Sequence, residues 1–194
     1  MPVLFADDFP SDSTRLRRVG DGTIAIVARG IWTDQTDIDP EEVVAEHWRT
    51  IVARSMPGAV ITGRTGFEHA PENGNLFVSH PRNRTLELPG LTVHPDGRDE
   101  RRDDDIPLLN GLYGASIVRA LIDNAETRGR PSDPPRRLTP TELADRAAHL
   151  AATLGPERTV ALLHALDAEP NTVAAGITRD LITDAQNVPL FDLS

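Results

Sequence analysis

Between Pro57 and His94 the chain reads PGAVITGRTGFEHAPENGNLFVSHPRNRTLELPGLTVH, with prolines, glycines and asparagines too closely spaced for a helix to survive. What remains between these breakers is a series of short apolar runs: Ala59 to Thr62, Asn75 to Ser79, Arg84 to Leu88 and, after Pro89-Gly90, Leu91 to His94. Each is a few residues long and bounded by turn formers, the pattern of a small sheet. The rest of the chain is expected to cover that sheet. The fold class that follows is α+β: a small, mostly antiparallel sheet covered by helices, with an N-terminal wing-like β-hairpin and a C-terminal helical group.

The flanking segments follow from the same signals. Residues Met1 to Ser13 read as a loose lead-in, and Thr14 to Thr33 as two extended arms around Gly20-Asp21-Gly22, because Asp-Gly is a strong short hairpin signal. Asp39-Pro40-Glu41-Glu42 opens a helix, with Asp39 as cap, Pro40 at the first position and two carboxylates at the positive end of the dipole. Its stripe is Val44, Trp48, Ile51 and Val52, and Pro57 stops it. The run Asp96 to Asp105 is too polar to pack and reads as a solvated loop.

Ser116 caps a helix with an inner face of Val118, Leu121, Ile122 and Ala125, ended by Arg130-Pro131. A proline-rich connector leads to Thr139-Pro140-Thr141-Glu142, a capping box. Three helices follow, Pro140 to Leu154, Pro156 to Glu169 and Thr172 to about Gln186, separated by Gly155-Pro156 and Pro170-Asn171. The organisation expected is 1–56 for the hairpin and first helix, 57–130 for a central α/β core and 131–194 for the helical group and tail, all in one compact unit.

Composition narrows the chemistry. The formal net charge of −10 argues against broad nonspecific binding to nucleic acid, which rewards clustered positive charge. All 20 basic residues are arginine, so a lysine base, a Schiff base and a P-loop lysine are excluded. Cysteine is absent, which removes disulfides and cysteine-ligated zinc. The N-terminus has neither the basic start nor the apolar stretch of a secretory signal, and no window resembles a membrane span, so the expected location is cytoplasmic with no membrane partner.

Gly20, Gly22 and Ala25 spell a dinucleotide fingerprint, but that motif needs a helix after it and TIAIVA reads as strand, so no cofactor is expected. His80, His94 and Asp96 fall at the ends of neighbouring strands, where exposed histidines are commonly surface residues, and no metal is expected. Ser116 in GASIV lacks the second glycine of a nucleophile elbow and has a simpler role as a cap.

Arg64, after the first central strand, and Arg119, one turn into the helix from Ser116, could meet at one end of the sheet and clamp a carboxylate or phosphate. Internal pairing with Glu68, Glu87 or Asp123 is the structural alternative. With Tyr113 and Ser116 they form the candidate partner- or anion-binding set. Arg15, Arg17 and Arg18 form a basic cluster on the predicted hairpin and are the candidate DNA contacts.

Four stretches resemble one family in order and spacing: RGIWTD at Arg29 to Asp34, PGAVITGRT at Pro57 to Thr65, LELPGLTVHP at Leu86 to Pro95 and GLYGASIVRALIDNAETRGR at Gly111 to Arg130. Together they resemble the AbiEi-type antitoxin domain of type IV toxin–antitoxin systems, a module similar to the N-terminal part of some Fic-family proteins. The resemblance covers roughly Thr14 to Gly176. It implies a non-catalytic bacterial protein that neutralises a nucleotidyltransferase-like toxin or a Fic effector, and a winged-helix repressor role as the alternative. Ahead of Arg29 there is room for a wing but hardly for a helix-turn-helix. The Fic catalytic motif HPFxxGNGR and the inhibitory pattern [S/T]xxxE[G/N] do not occur. The expectation is therefore a protein-binding antitoxin that is not an enzyme. DNA repression through the hairpin and small-anion binding or unrecognised catalysis at Arg64 and Arg119 are the rivals.

Overall fold

The computed structural model describes residues 3–98, 101–126 and 132–187. The chain is α+β and divides into two compact units. The first comprises Met1–Ile61 and Ala70–Gly114, the second Thr62–His69 and Ala115–Ser194.

The first unit holds two sheets and one long helix. Strands β1 (Val3–Phe5), β2 (Ala25–Ala28) and β3 (Ile31–Thr33) form an antiparallel sheet in the order β1-β3-β2. Strands β4 (Val60–Ile61), β5 (Asn75–Ser79), β6 (Leu86–Leu88), β7 (Leu91–Pro95), β8 (Ile106–Pro107) and β9 (Tyr113–Gly114) form a mixed sheet in the order β6-β7-β5-β4-β9-β8. The four strands expected between 57 and 94 are all present, and β5 has the expected bounds. β5 is inside the sheet, antiparallel to β4 and parallel to β7, with Leu76 opposite Val93. That position explains why Leu76, Phe77 and Val78 are all buried, since a strand covered on both faces has no polar alternation.

Helix α2 (Pro40–Ser55) starts as its sequence dictates. The Asp39 carboxylate accepts from the Glu41 N–H at 2.8 Å, and Pro40 occupies the first turn. Val44, Trp48, Ile51 and Val52 are buried with Val43 and Ala53 beside them, a face broad enough to touch β1, β2 and β7. This helix carries the core between the two sheets, together with Ile61, Leu76, Val93 and Leu112.

Two expectations in the first 33 residues are corrected. The segment carrying Arg15, Arg17 and Arg18 is not a hairpin arm but helix α1 (Asp12–Gly20). Ser11 caps it, its Oγ accepting from the Thr14 N–H at 3.2 Å, and Asp12 pairs with Arg15 at 2.9 Å one turn on. Asp21-Gly22 serves as the helix stop: the Asp21 N–H returns to the Arg17 carbonyl at 2.9 Å, and the Asp21 carboxylate receives both the N–H and the hydroxyl of Thr23. The hairpin lies one step later, β2 to β3, turning at Arg29-Gly30. The lead-in is not loose throughout, because β1 pairs with β3 and Val3 is buried. The loop after β7 is likewise only partly solvated. Asp105 is buried and its carboxylate accepts from the Arg102 N–H at 2.7 Å; residues 99 and 100 lie outside the described residues.

The second unit is helical: α3 (Ile117–Ala125), α4 (Pro140–Asp167) and α5 (Thr172–Asn187). Its core joins Leu121, Ile122, Leu143, Ala147, Leu162, Leu166 and Ile182. The Thr139–Glu142 capping box is present, and α4 breaks at Gly155 (φ 72°, ψ 168°) before Pro156, where two helices were expected to part. α3 ends at Ala125 with Glu126 already extended, and the expected stop at Arg130-Pro131 lies outside the described residues, as does the C-terminal tail from residue 188. Asn124, buried in α3, donates to the carbonyls of Gly63 at 2.9 Å and Ala120 at 2.8 Å and accepts from the Leu138 N–H at 2.8 Å. One side chain thereby ties the 3-10 turn Gly63–Gly66 and the connector to the helix. No helix among the described residues is long and apolar enough to cross a membrane.

Candidate functional site

Of the four residues expected to receive a partner or anion, Arg64, Ser116 and Arg119 belong to the second unit and Tyr113 to the first. In the second unit the turn Gly63–Gly66 places Arg64, whose backbone N–H donates to the Arg136 carbonyl at 2.8 Å. Its Nη2 donates to Glu142 Oε1 at 3.0 Å. The same Glu142 receives the Thr139 N–H at 2.7 Å through its other oxygen. The Thr139 N–H, then the Thr139 hydroxyl, then Arg64 hold the Glu142 carboxyl below its ordinary range. Arg119, only 2% exposed, has Nε 3.7 Å from Asp123 one turn along α3. Ser116 Oγ accepts from the Arg119 N–H at 3.1 Å and closes the first turn of that helix.

Each of these three residues therefore has a structural occupation. Both guanidiniums have internal acid partners, which is how a buried cation is accommodated without a ligand. Tyr113, in β9, pairs through its backbone with Ala59, and its hydroxyl accepts from Arg101 Nη1 at 3.1 Å while that guanidinium stands 4.9 Å over its ring.

Two of the three arginines of α1 are engaged by their own unit. Arg15 pairs with Asp12 and lies 4.7 Å over the Trp32 ring; Arg18 lies 5.7 Å over Phe9, itself edge-on to Trp32 at 5.6 Å. Arg17 is exposed in the last turn, where a cation meets the negative end of the dipole. Asp21 just beyond is held below its ordinary range first by the Thr23 hydroxyl, then by the Thr23 N–H, with the fields of Arg17 and Arg18 added.

At the strand ends, His94 hydrogen-bonds Asn75 at 2.9 Å and stacks on Phe77 at 5.0 Å, while His80 Nδ1 accepts from the Arg82 N–H at 3.1 Å. The Asp96 carboxylate receives the N–H groups of His80 and Arg98. Among the described residues no group of three histidine, aspartate or glutamate side chains is placed to hold a metal ion.

A cavity of the first unit lies elsewhere, and sequence reading missed it. A groove of about 290 Å³ runs along α2, lined by Glu41, Ala45 and Trp48 of the helix and by Pro71, Pro89 and Gly90 of the loops before β5 and β7. Gly90 lets the loop before β7 approach Glu41 closely. Its φ is +68°, and a Cβ there would stand 2.6 Å from Glu41 Cγ and 2.8 Å from its Oε1. Among the described residues, those that line the groove are uncharged apart from Glu41. Trp48 is buried, its ring covered by the Arg49 guanidinium at 4.4 Å. In the sequence Glu41 reads as a helix-start carboxylate and Pro89-Gly90 as a strand separator. Nothing local connects them, because the groove joins positions nearly fifty residues apart.

No family model matches this chain, and no curated protein matches it in sequence.

Proposed function

We propose that this chain is an antitoxin-like protein that acts by binding and neutralising a basic toxin or effector protein, of the nucleotidyltransferase-like or Fic kind. The observation that carries this reading is the groove of the first unit, an apolar cleft with a single carboxylate on a chain of net charge −10. An acidic surface speeds encounter with a basic partner and disfavours acidic ones. The residue types that would otherwise suggest catalysis or anion capture are engaged in the fold: Ser116 as a cap, Arg64 with Glu142 and Arg119 beside Asp123. Two of the three α1 arginines stack on aromatic rings of their own unit, which leaves the repressor reading without an observation in its favour. The four motifs that resemble AbiEi-type proteins suggest the class of partner.

The test is a tagged pull-down from the native host at low and moderate salt, with mass spectrometry of bound protein and sequencing of bound nucleic acid. A stoichiometric nucleotidyltransferase-like or Fic protein is the expected result. A single enriched promoter fragment with no protein partner would overturn it.

A further inference from the structure

We infer that the groove between α2 and the loops before β5 and β7 is a receptor for one arginine side chain, presented by the surface of a protein partner. The biological occupant rests on the partner-binding reading above; the chemistry of the groove stands on its own observations. Its volume of about 290 Å³ lies at the lower edge of what takes a small molecule and suits one long side chain. Its lining residues include Ala45, Trp48, Pro71 and Pro89, apolar residues along which an aliphatic stem can lie, with the Arg49 guanidinium over the Trp48 ring at 4.4 Å.

Glu41 decides what sits at the end of that stem. Its side chain is held against Gly90, and among the described residues its carboxylate has no hydrogen-bond or ion-pair partner. An apolar occupant would strip water from an anion and return nothing. A cation restores the lost interaction, and a guanidinium does so best, being weakly hydrated, flat enough to lie against proline and indole surfaces, and able to meet both carboxylate oxygens. The acid excess of the chain, 30 acidic against 20 basic residues, favours the same sign of ligand.

The experiment uses the full chain, ¹⁵N-labelled, titrated with N-acetylarginine amide and, separately, with N-acetylleucine amide. The arginine probe is expected to shift the Trp48 indole N–H and the Gly74 and Gly90 amides saturably, with a dissociation constant on the order of 1 mM, as suits so small a ligand. Glu41→Gln weakens that binding roughly fivefold, the upper value for an exposed ion pair. Ala45→Leu, at an exposed helix position, fills the cleft and abolishes the shifts in a chain that remains folded. Absence of saturable shifts, equal shifts with the leucine probe, or unchanged binding in Glu41→Gln would each overturn the proposal. Saturable binding without any captured toxin would leave the groove standing and remove the antitoxin reading. Capture of a toxin undiminished by both substitutions would keep that reading and remove the groove.

Discussion

Asn124 shows how a single polar side chain fixes backbone far from it in sequence. It lies on the buried side of α3, and three hydrogen bonds leave it satisfied while holding the Gly63 carbonyl and the Leu138 N–H. Asn124→Ala removes the amide that meets the buried Gly63 carbonyl and the part-buried Leu138 N–H, and we expect a loss of about 2 kcal/mol, within the range for a broken hydrogen-bond set of this kind. Urea denaturation of the variant checks this; a loss below about 1 kcal/mol would mean that water replaces the amide. The helical period marks Leu121, Ile122 and Ala125 as inward, but it cannot say that the inward residue between them ties two distant segments. That information lies in tertiary placement, as it does for Glu41 and Gly90.

At the scale of elements, local chemistry decided most boundaries, and the failures have identifiable causes. α4 is the clearest success. Thr139 and Glu142 close its first turn, and Gly155-Pro156 breaks it because Gly155 takes a left-handed φ of 72° that other residues adopt at a cost. Open space surrounds the position a Cβ would occupy there, so Gly155→Ala tests the backbone term alone. With ψ at 168° the backbone sits in a region nearly confined to glycine, so the expected penalty is about 1–3 kcal/mol, read as a lower urea midpoint with an unchanged slope.

The failure at α1 comes from a signal with two uses. Asp-Gly makes hairpin turns and also stops helices. The stretch between Ser11 and Gly20, with its serine cap and its leucine and arginines, favours the second use. The helix took the Asp-Gly, and the turn between β2 and β3 fell to Arg29-Gly30. β1 was illegible for another reason, since three apolar residues carry no period until a partner strand supplies one. The candidate site fared worst. Of the internal partners expected for the two arginines, Asp123 stands beside Arg119, whereas Arg64 meets Glu142, seventy-eight residues away and not among those expected. The groove depends on approach between α2 and two loops, which no window of sequence contains.

For the whole molecule, the division into two units with separate cores makes acid sensitivity a local property. In the first unit the Asp8 carboxyl is held below its ordinary range chiefly by a hydrogen bond from Arg54, whose Nη1 stands 2.6 Å away and whose guanidinium lies over Phe5. In the second, Glu142 is depressed by the Thr139 N–H and hydroxyl and by Arg64. A carboxyl whose folded value is lowered contributes stability that is complete above its unfolded value and is lost as pH falls through the folded one. Both units should therefore weaken on acidification from roughly pH 4 downward, each through its own carboxylate. Native amide intensities of Val60 and Leu166, followed in urea near neutrality and again at about pH 3.5, report the two units separately. Asp8→Asn should flatten the acid response at Val60 and leave that at Leu166 unchanged, and Glu142→Gln should do the reverse while its amide still completes the capping box. If either substitution moved both responses equally, the carboxylates would be acting through the net charge of −10 rather than through their named partners, and acid stability would follow ionic strength instead of these two hydrogen-bonded sites.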